Sequence, residues 1–156
     1  MQTWITDFSF SKSAQNLDNK RLHTQIYEGI HIFASLLDIN NKLVNPKRSI
    51  KNHPTAKLWK GYELNLWIYI YFHRMEWKNR GYKNTITEKN IMIIVKYLYK
   101  FNDNNLAYKN GNPDWITEEL VTTHRSVLIQ KKPEHYRKLW PDVPDDLQMR
   151  YDWRKD

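Results

Sequence analysis

Apolar residues recur along much of this chain at helical intervals of three and four, and no pair of strands stands out. Leu22, Ile26, Ile30, Phe33 and Leu37 form one such stripe. They predict a first helix, capped by Ser11 or Ser13, that ends near Leu37 where Asp38-Ile39-Asn40-Asn41 breaks it. A second helix opens at Asn52-His53-Pro54-Thr55, with Pro54 in the first turn where its missing N–H is harmless. It runs to Arg80 and stops at Gly81, a residue suited to a left-handed cap. At 1.5 Å per residue this helix would span roughly 40 Å. Leu58, Trp59, Tyr62, Leu66, Trp67, Ile70, Tyr71 and Met75 supply its packing surface, which makes it the central helix.

Thr85-Ile86-Thr87-Glu88 has the form of a capping box, and Ile91, Ile94, Val95, Leu98 and Phe101 carry a third helix to about Asn102. Gly111-Asn112-Pro113-Asp114 marks a turn before a fourth helix over 115–130, and Pro133 restarts a short helical piece with His135, Tyr136, Arg137 and Trp140. Residues 1–12 read as an irregular or extended lead-in that Trp4, Ile5, Phe8 and Phe10 pin to the body. The proline-rich stretch 141–146 opens a surface tail over 141–156. The pattern predicts an all-α fold: a compact single domain over residues 1–156, with a long central helix packed by three or four others. Repeats, low-complexity tracts and domain linkers are not seen.

One polar pattern crosses the first stripe. Asp18, Arg21, Gln25 and Glu28 are spaced three, four and three apart, so on a helix they share a narrow strip at the edge of the apolar face. A carboxylate at such an edge is partly desolvated and its pKa rises. An ordinary amphipathic helix with an exposed Arg/Glu pair has the same pattern, so the strip alone leaves both readings open.

Composition narrows the choice. The absence of cysteine excludes disulfides, thiolate metal sites and cysteine nucleophiles, and fits an intracellular setting. The six histidines contain no pair at the i, i+4 spacing of a helical zinc site, so no metal is expected. No signal peptide is visible, and the longest apolar run, 64–72, is far short of the roughly 18 residues a membrane span needs. A soluble, cytoplasmic protein is expected. The net charge of +8, with seven Trp and ten Tyr, suits a nucleic-acid partner, because cations neutralise phosphates and rings stack on bases. Residues 41–60 hold Lys42, Lys47, Arg48, Lys51, Lys57 and Lys60 without one acidic residue. That run is either a solvated loop or a phosphate-binding surface.

Three blocks resemble the pyrimidine dimer DNA glycosylase family, the endonuclease V-like enzymes. Arg21-Leu22-x-x-Gln25-x-x-Glu28 followed by Phe33 is similar to its first-helix motif. His53-Pro54-Thr55 and the run through Glu76-Trp77-Lys78-Asn79-Arg80-Gly81 resemble its second helix. Thr123-His124-Arg125-Ser126, with Tyr136 beyond Pro133, is similar to its carboxy-terminal region. The resemblance covers roughly residues 14–140. It is strongest to a branch of small bacterial and phage proteins that contain N-H-P-x-x-x-x-W-x-G-Y-E and P-D-V-P-D-D.

The resemblance implies a mostly helical single domain without cofactor, acting as a monomer on double-stranded DNA. It implies that a protein amine attacks C1′ of the damaged nucleotide and that a carboxylate beside it, matched by Glu28, assists. In the family the amine is the α-amino group of a threonine exposed by loss of the initiator methionine. Here the bulk of Gln2 favours retention of Met1, which makes the Met1 amine the expected nucleophile. An α-amino group also offers roughly 400-fold more neutral amine at neutral pH than an ordinary lysine. Lys20, beside Arg21, is the internal alternative. Arg21, Gln25, His31, Lys47, Arg48, Lys51, His53, Lys57, His124 and Arg125 are the expected contacts to substrate and DNA. Tyr27 stands directly before Glu28, and His31 occupies the place of a family cation. Three functions are compatible with these features: a glycosylase for damaged or modified pyrimidines, with or without an associated abasic-site lyase, a DNA-binding protein of the same fold without catalysis, and an enzyme of free nucleosides.

Overall fold

The computed structural model describes residues 1–101 and 106–155. Seven α-helices and one 3-10 turn make up its regular structure, with no strand among the described residues. Helix α1 (Phe10–Asn16) and helix α2 (Asn19–Leu36) replace the single first helix expected from the apolar stripe. The break lies at Leu17 and Asp18, both in extended backbone. Leu17 is fully buried there, and the Asp18 N–H donates to the Tyr136 hydroxyl at 3.0 Å instead of continuing the helix. Ser9, not Ser11 or Ser13, caps α1, accepting from the Lys12 N–H at 3.3 Å.

The expected 40 Å helix is also two. Helix α3 (Pro54–Trp59) ends where Lys60 turns extended and Gly61 takes φ +85°, and helix α4 (Glu63–Asn79) starts afresh, about 25 Å long at 1.5 Å per residue. Arg154 supports this break by donating to the carbonyl oxygens of Lys57, at 3.0 Å, and Lys60. Gly81, at φ +88°, ends α4 as expected.

Helices α2 and α4 cross at the centre. At Gly29 a Cβ would lie 2.8 Å from Ile70 Cγ1, so a larger residue there would force Ile70 to shift. The face α4 buries is Asn65, Leu66, Tyr69, Ile70 and His73; Tyr71, expected in the core, is 49% exposed. Helix α5 (Thr85–Phe101) packs on α2 and is capped by Asn84, whose Oδ1 accepts from the Thr87 N–H at 3.0 Å. The expected box at Thr85 does not form, because Glu88 pairs with Arg74 through two hydrogen bonds. Asn102, the expected helix end, lies outside the described residues. Helix α6 (Glu118–Lys131), capped by Thr117, and helix α7 (Pro133–Tyr136) complete the body.

Between these helices runs the lead-in. Gln2, Thr3, Trp4, Ile5 and Thr6 are all buried, as is Phe10, whereas Phe8 is 49% exposed and pins nothing. The tail departs more from expectation: it returns across α6, where the Leu147 N–H donates to Ser126 Oγ at 3.1 Å, and buries Trp153 in the main core.

Candidate active site

A buried backbone segment with no sheet partner must find its hydrogen bonds elsewhere. Side chains supply them for residues 2–6. Gln25, on α2, accepts from the Trp4 N–H at 2.7 Å and donates to the Gln2 carbonyl at 2.9 Å, taking the place of a neighbouring strand. The Tyr69 hydroxyl sits 2.7 Å from Gln25 Oε1 and 2.9 Å from the Trp4 carbonyl. Burial, and then the nearby Glu28 charge, push its pKa well up, so it remains a donor. His124 Nδ1 accepts from the Ile5 N–H at 3.0 Å, Ser13 Oγ from the Thr6 N–H at 2.9 Å, and Arg125 donates to the Thr6 carbonyl at 2.7 Å. Trp59 Nε1 donates to Thr3 Oγ1 at 3.0 Å.

These contacts deliver the chain terminus to Glu28. The Gln2 N–H donates to Glu28 Oε2 at 3.4 Å. Thr55 Oγ1 and the Tyr151 hydroxyl donate to the Met1 carbonyl at 3.2 and 3.4 Å. Burial raises the Glu28 carboxyl above its ordinary value, while the charge of the terminus, the Gln2 N–H and the charge of Lys47 pull it down by a smaller amount. Met1, Arg21, Gln25 and Glu28 line one cavity of about 360 Å³, with Lys20 and Lys131 adding positive charge and Met149 and Tyr151 closing it from the tail.

The other expected contacts divide. Lys47 lies over the Tyr27 ring, 4.8 Å from its centroid, and its charge acts on both Glu28 and His31. His31 is only 4% exposed, edge-on to Tyr27, and burial followed by Lys47 lowers its pKa. Arg48 is exposed. Lys51 and Lys57 line a second hollow of about 760 Å³ with Lys60 and Arg154, and Tyr151 borders both hollows. Lys51 is not uncompensated, since Asp38 pairs with it at 2.8 Å.

His53 caps α3, its Nδ1 accepting from the Thr55 N–H at 3.1 Å, and burial and the charge of the terminus lower its pKa. His124, expected at the DNA surface, is only 1% exposed, and with burial pushing its pKa to about 3 it is a neutral anchor for the lead-in. Arg125 is likewise turned inward, to the Thr6 carbonyl, Asp7 at 3.6 Å and the Trp140 ring. Asp18 leaves the strip of Arg21, Gln25 and Glu28. Burial would raise its carboxyl, but the Tyr136 hydroxyl, Arg21 and Lys132 outweigh it and hold the pKa below the ordinary value.

Sequence reasoning missed Lys131, Thr55 as a hydroxyl donor, Tyr69 and the tail residues Met149 and Tyr151. The one available signal for the tail was its aromatic content, Tyr151 and Trp153 close together, which a solvated tail has no need of. Among the described residues no group of three His, Asp or Glu is placed to hold a metal ion, and no helix is long and apolar enough to cross a membrane.

No curated protein and no solved structure matches the chain. The family model described as pyrimidine dimer DNA glycosylase matches residues 1–90 of the 156. The matched part contains the buried lead-in, the strip on α2, Thr55 and the wall that α4 builds behind them. With more than half of its length matched, the chain belongs to the pyrimidine dimer DNA glycosylase family.

Proposed function

We propose that the protein is a DNA glycosylase for damaged or modified pyrimidines in double-stranded DNA, with an associated abasic-site lyase step, and that Met1 and Glu28 carry the reaction. The observation that supports this most directly is the fastening of the first peptide group against Glu28. The neutral Met1 amine attacks C1′ as the bond from C1′ to the base breaks, and the base leaves with the electron pair and takes up a proton. Opening of the sugar, with a proton delivered to its ring oxygen, gives an imine between Met1 N and C1′. Loss of a C2′ proton then expels the 3′ phosphate. As a carboxylate, Glu28 stabilises the cationic sugar; with its raised pKa it also moves protons between the amine, the ring oxygen and C2′.

Lys20, Arg21 and Lys131 at the cavity rim, with Lys47 nearby, suit the phosphates that flank the reacting nucleotide. The hollow beyond Tyr151, with Lys51, Lys57, Lys60 and Arg154, continues the positive surface along the duplex. Glu28→Gln keeps size and removes the charge, so base release from irradiated or modified duplex is expected to fall about a hundredfold or more, with DNA affinity little changed. Undiminished release would remove Glu28 from the mechanism, and DNA binding without any release by the wild type would favour a protein that keeps the fold and has lost catalysis.

A further inference from the structure

The Met1 carbonyl accepts two hydrogen bonds, from Thr55 Oγ1 at 3.2 Å and from the Tyr151 hydroxyl at 3.4 Å. A carbonyl oxygen has two lone pairs, and both are engaged. The same peptide group directs its N–H, from Gln2, to Glu28. A peptide bond is planar, so holding its oxygen on one edge and its N–H on the other fixes the plane and the Met1 Cα with it. The amine then keeps a single rotation, about the bond from Cα to the carbonyl carbon, and moves on a circle of about 1.4 Å radius.

We infer that Thr55 and Tyr151 are a positioning pair that orients the Met1 amine towards the reacting C1′ beside Glu28. The inference rests on the reading of Met1 as the nucleophile. The two residues suit the task in different ways. Thr55 is fully buried in the first turn of α3, behind Pro54 and the His53 cap, and gives a fixed reference. Tyr151 comes from the tail, is 40% exposed, and holds its ring edge-on to His53 with centroids 6.1 Å apart. Met149 seats the strap from the same tail, as Gln2 Nε2 approaches its sulfur at 3.0 Å. Tyr151 lies beyond the matched residues 1–90, so this half of the clamp is supplied by the part of the chain that the family model does not reach. Orientation of this kind governs the rate once substrate is bound, because a nucleophile displaced by about 1 Å loses around a hundredfold.

Borohydride trapping on an abasic duplex, at saturating DNA, measures imine formation directly, and peptide mapping locates the crosslink. Thr55→Val replaces the hydroxyl with a methyl group of similar size, and Tyr151→Phe removes only the hydroxyl. Each is expected to slow trapping severalfold, and together at least tenfold, with the duplex dissociation constant within twofold of wild type. Thr55→Ser restores the hydroxyl and is expected to recover most of the rate, which a purely structural role for the threonine would not require. Tyr151→Phe keeps the ring on His53, so it tests the idea even if the valine variant folds poorly. Trapping by Tyr151→Phe and the double variant within twofold of wild type, with the crosslink still on Met1, overturns the positioning pair alone. A wild-type crosslink on a lysine, or none, overturns the Met1 reading and this inference with it.

Discussion

Burial lifts the Glu28 carboxyl although the chain terminus, the Gln2 N–H and Lys47 all act to lower it. A carboxyl whose pKa is higher in the folded than in the unfolded chain contributes stability that is fully present below the unfolded value, near pH 4 to within about half a unit, and is lost as pH rises through the folded value. At neutral pH the ionised side chain therefore opposes folding relative to a neutral one of the same shape. Glu28→Gln is expected to melt above wild type at neutral pH, with the difference closing as pH falls towards about 4. Equal melting curves at neutral pH would mean that the site is not desolvated. The strip of Arg21, Gln25 and Glu28 was legible because a helix turns sequence spacing directly into a shared face. The role of Gln25 was not, since its partners are the backbone of residues 2 and 4, and neither were those of His124 and Arg125, which reach back 119 positions to residues 5 and 6.

The helix breaks show the same limit at the next scale. Apolar periodicity found the helical content, but a short interruption keeps that periodicity on both sides, so α1 and α2 read as one helix and α3 and α4 as another. What interrupts them is tertiary: Tyr136 at the first break and Arg154 at the second, each remote in sequence. The Tyr136 hydroxyl does two things at once, accepting from the Asp18 N–H and donating to the Asp18 carboxylate. Burial, then the Asp18 contact, raises the phenol pKa well above its ordinary value, so the donor persists across the working range. Tyr136→Phe would leave a buried N–H without its acceptor and a buried carboxylate short of one donor. The expected loss is about 1–3 kcal/mol in urea denaturation, the range for an unsatisfied buried polar group. Arg21 and Lys132 would still neutralise the charge, so the fold should survive. A change below about 0.5 kcal/mol would show that the corner is held by apolar packing around Leu17 instead.

Across the whole molecule the lead-in, the middle of the chain and the tail meet at one place, because a lead-in buried over residues 2–6 can be fixed only by elements that close over it. Positive charge follows the same geometry. Lys20, Arg21 and Lys131 stand at the cavity, and Lys51, Lys57, Lys60 and Arg154 stand around the hollow that shares Tyr151 with it. These cations are not equivalent. Lys51 is already paired with Asp38, and the Arg154 guanidinium is occupied by the carbonyls at the end of α3. Within the run 41–60, Arg48, Lys57 and Lys60 are exposed and carry no ion pair among the described residues, so their charges are available to phosphates. On duplex DNA each phosphate contact releases counterions and contributes about 0.9 to the slope of log K against log salt concentration. Arg48→Ala with Lys57→Ala is therefore expected to lower that slope by roughly 1.8, and Lys51→Ala by less than a full contact because Asp38 already offsets it. Titrations of a fluorescent duplex over a range of salt concentrations measure the slopes. An unchanged slope in the double variant would return the run 41–60 to an ordinary solvated loop and leave the rim of Lys20, Arg21 and Lys131 as the surface that meets DNA.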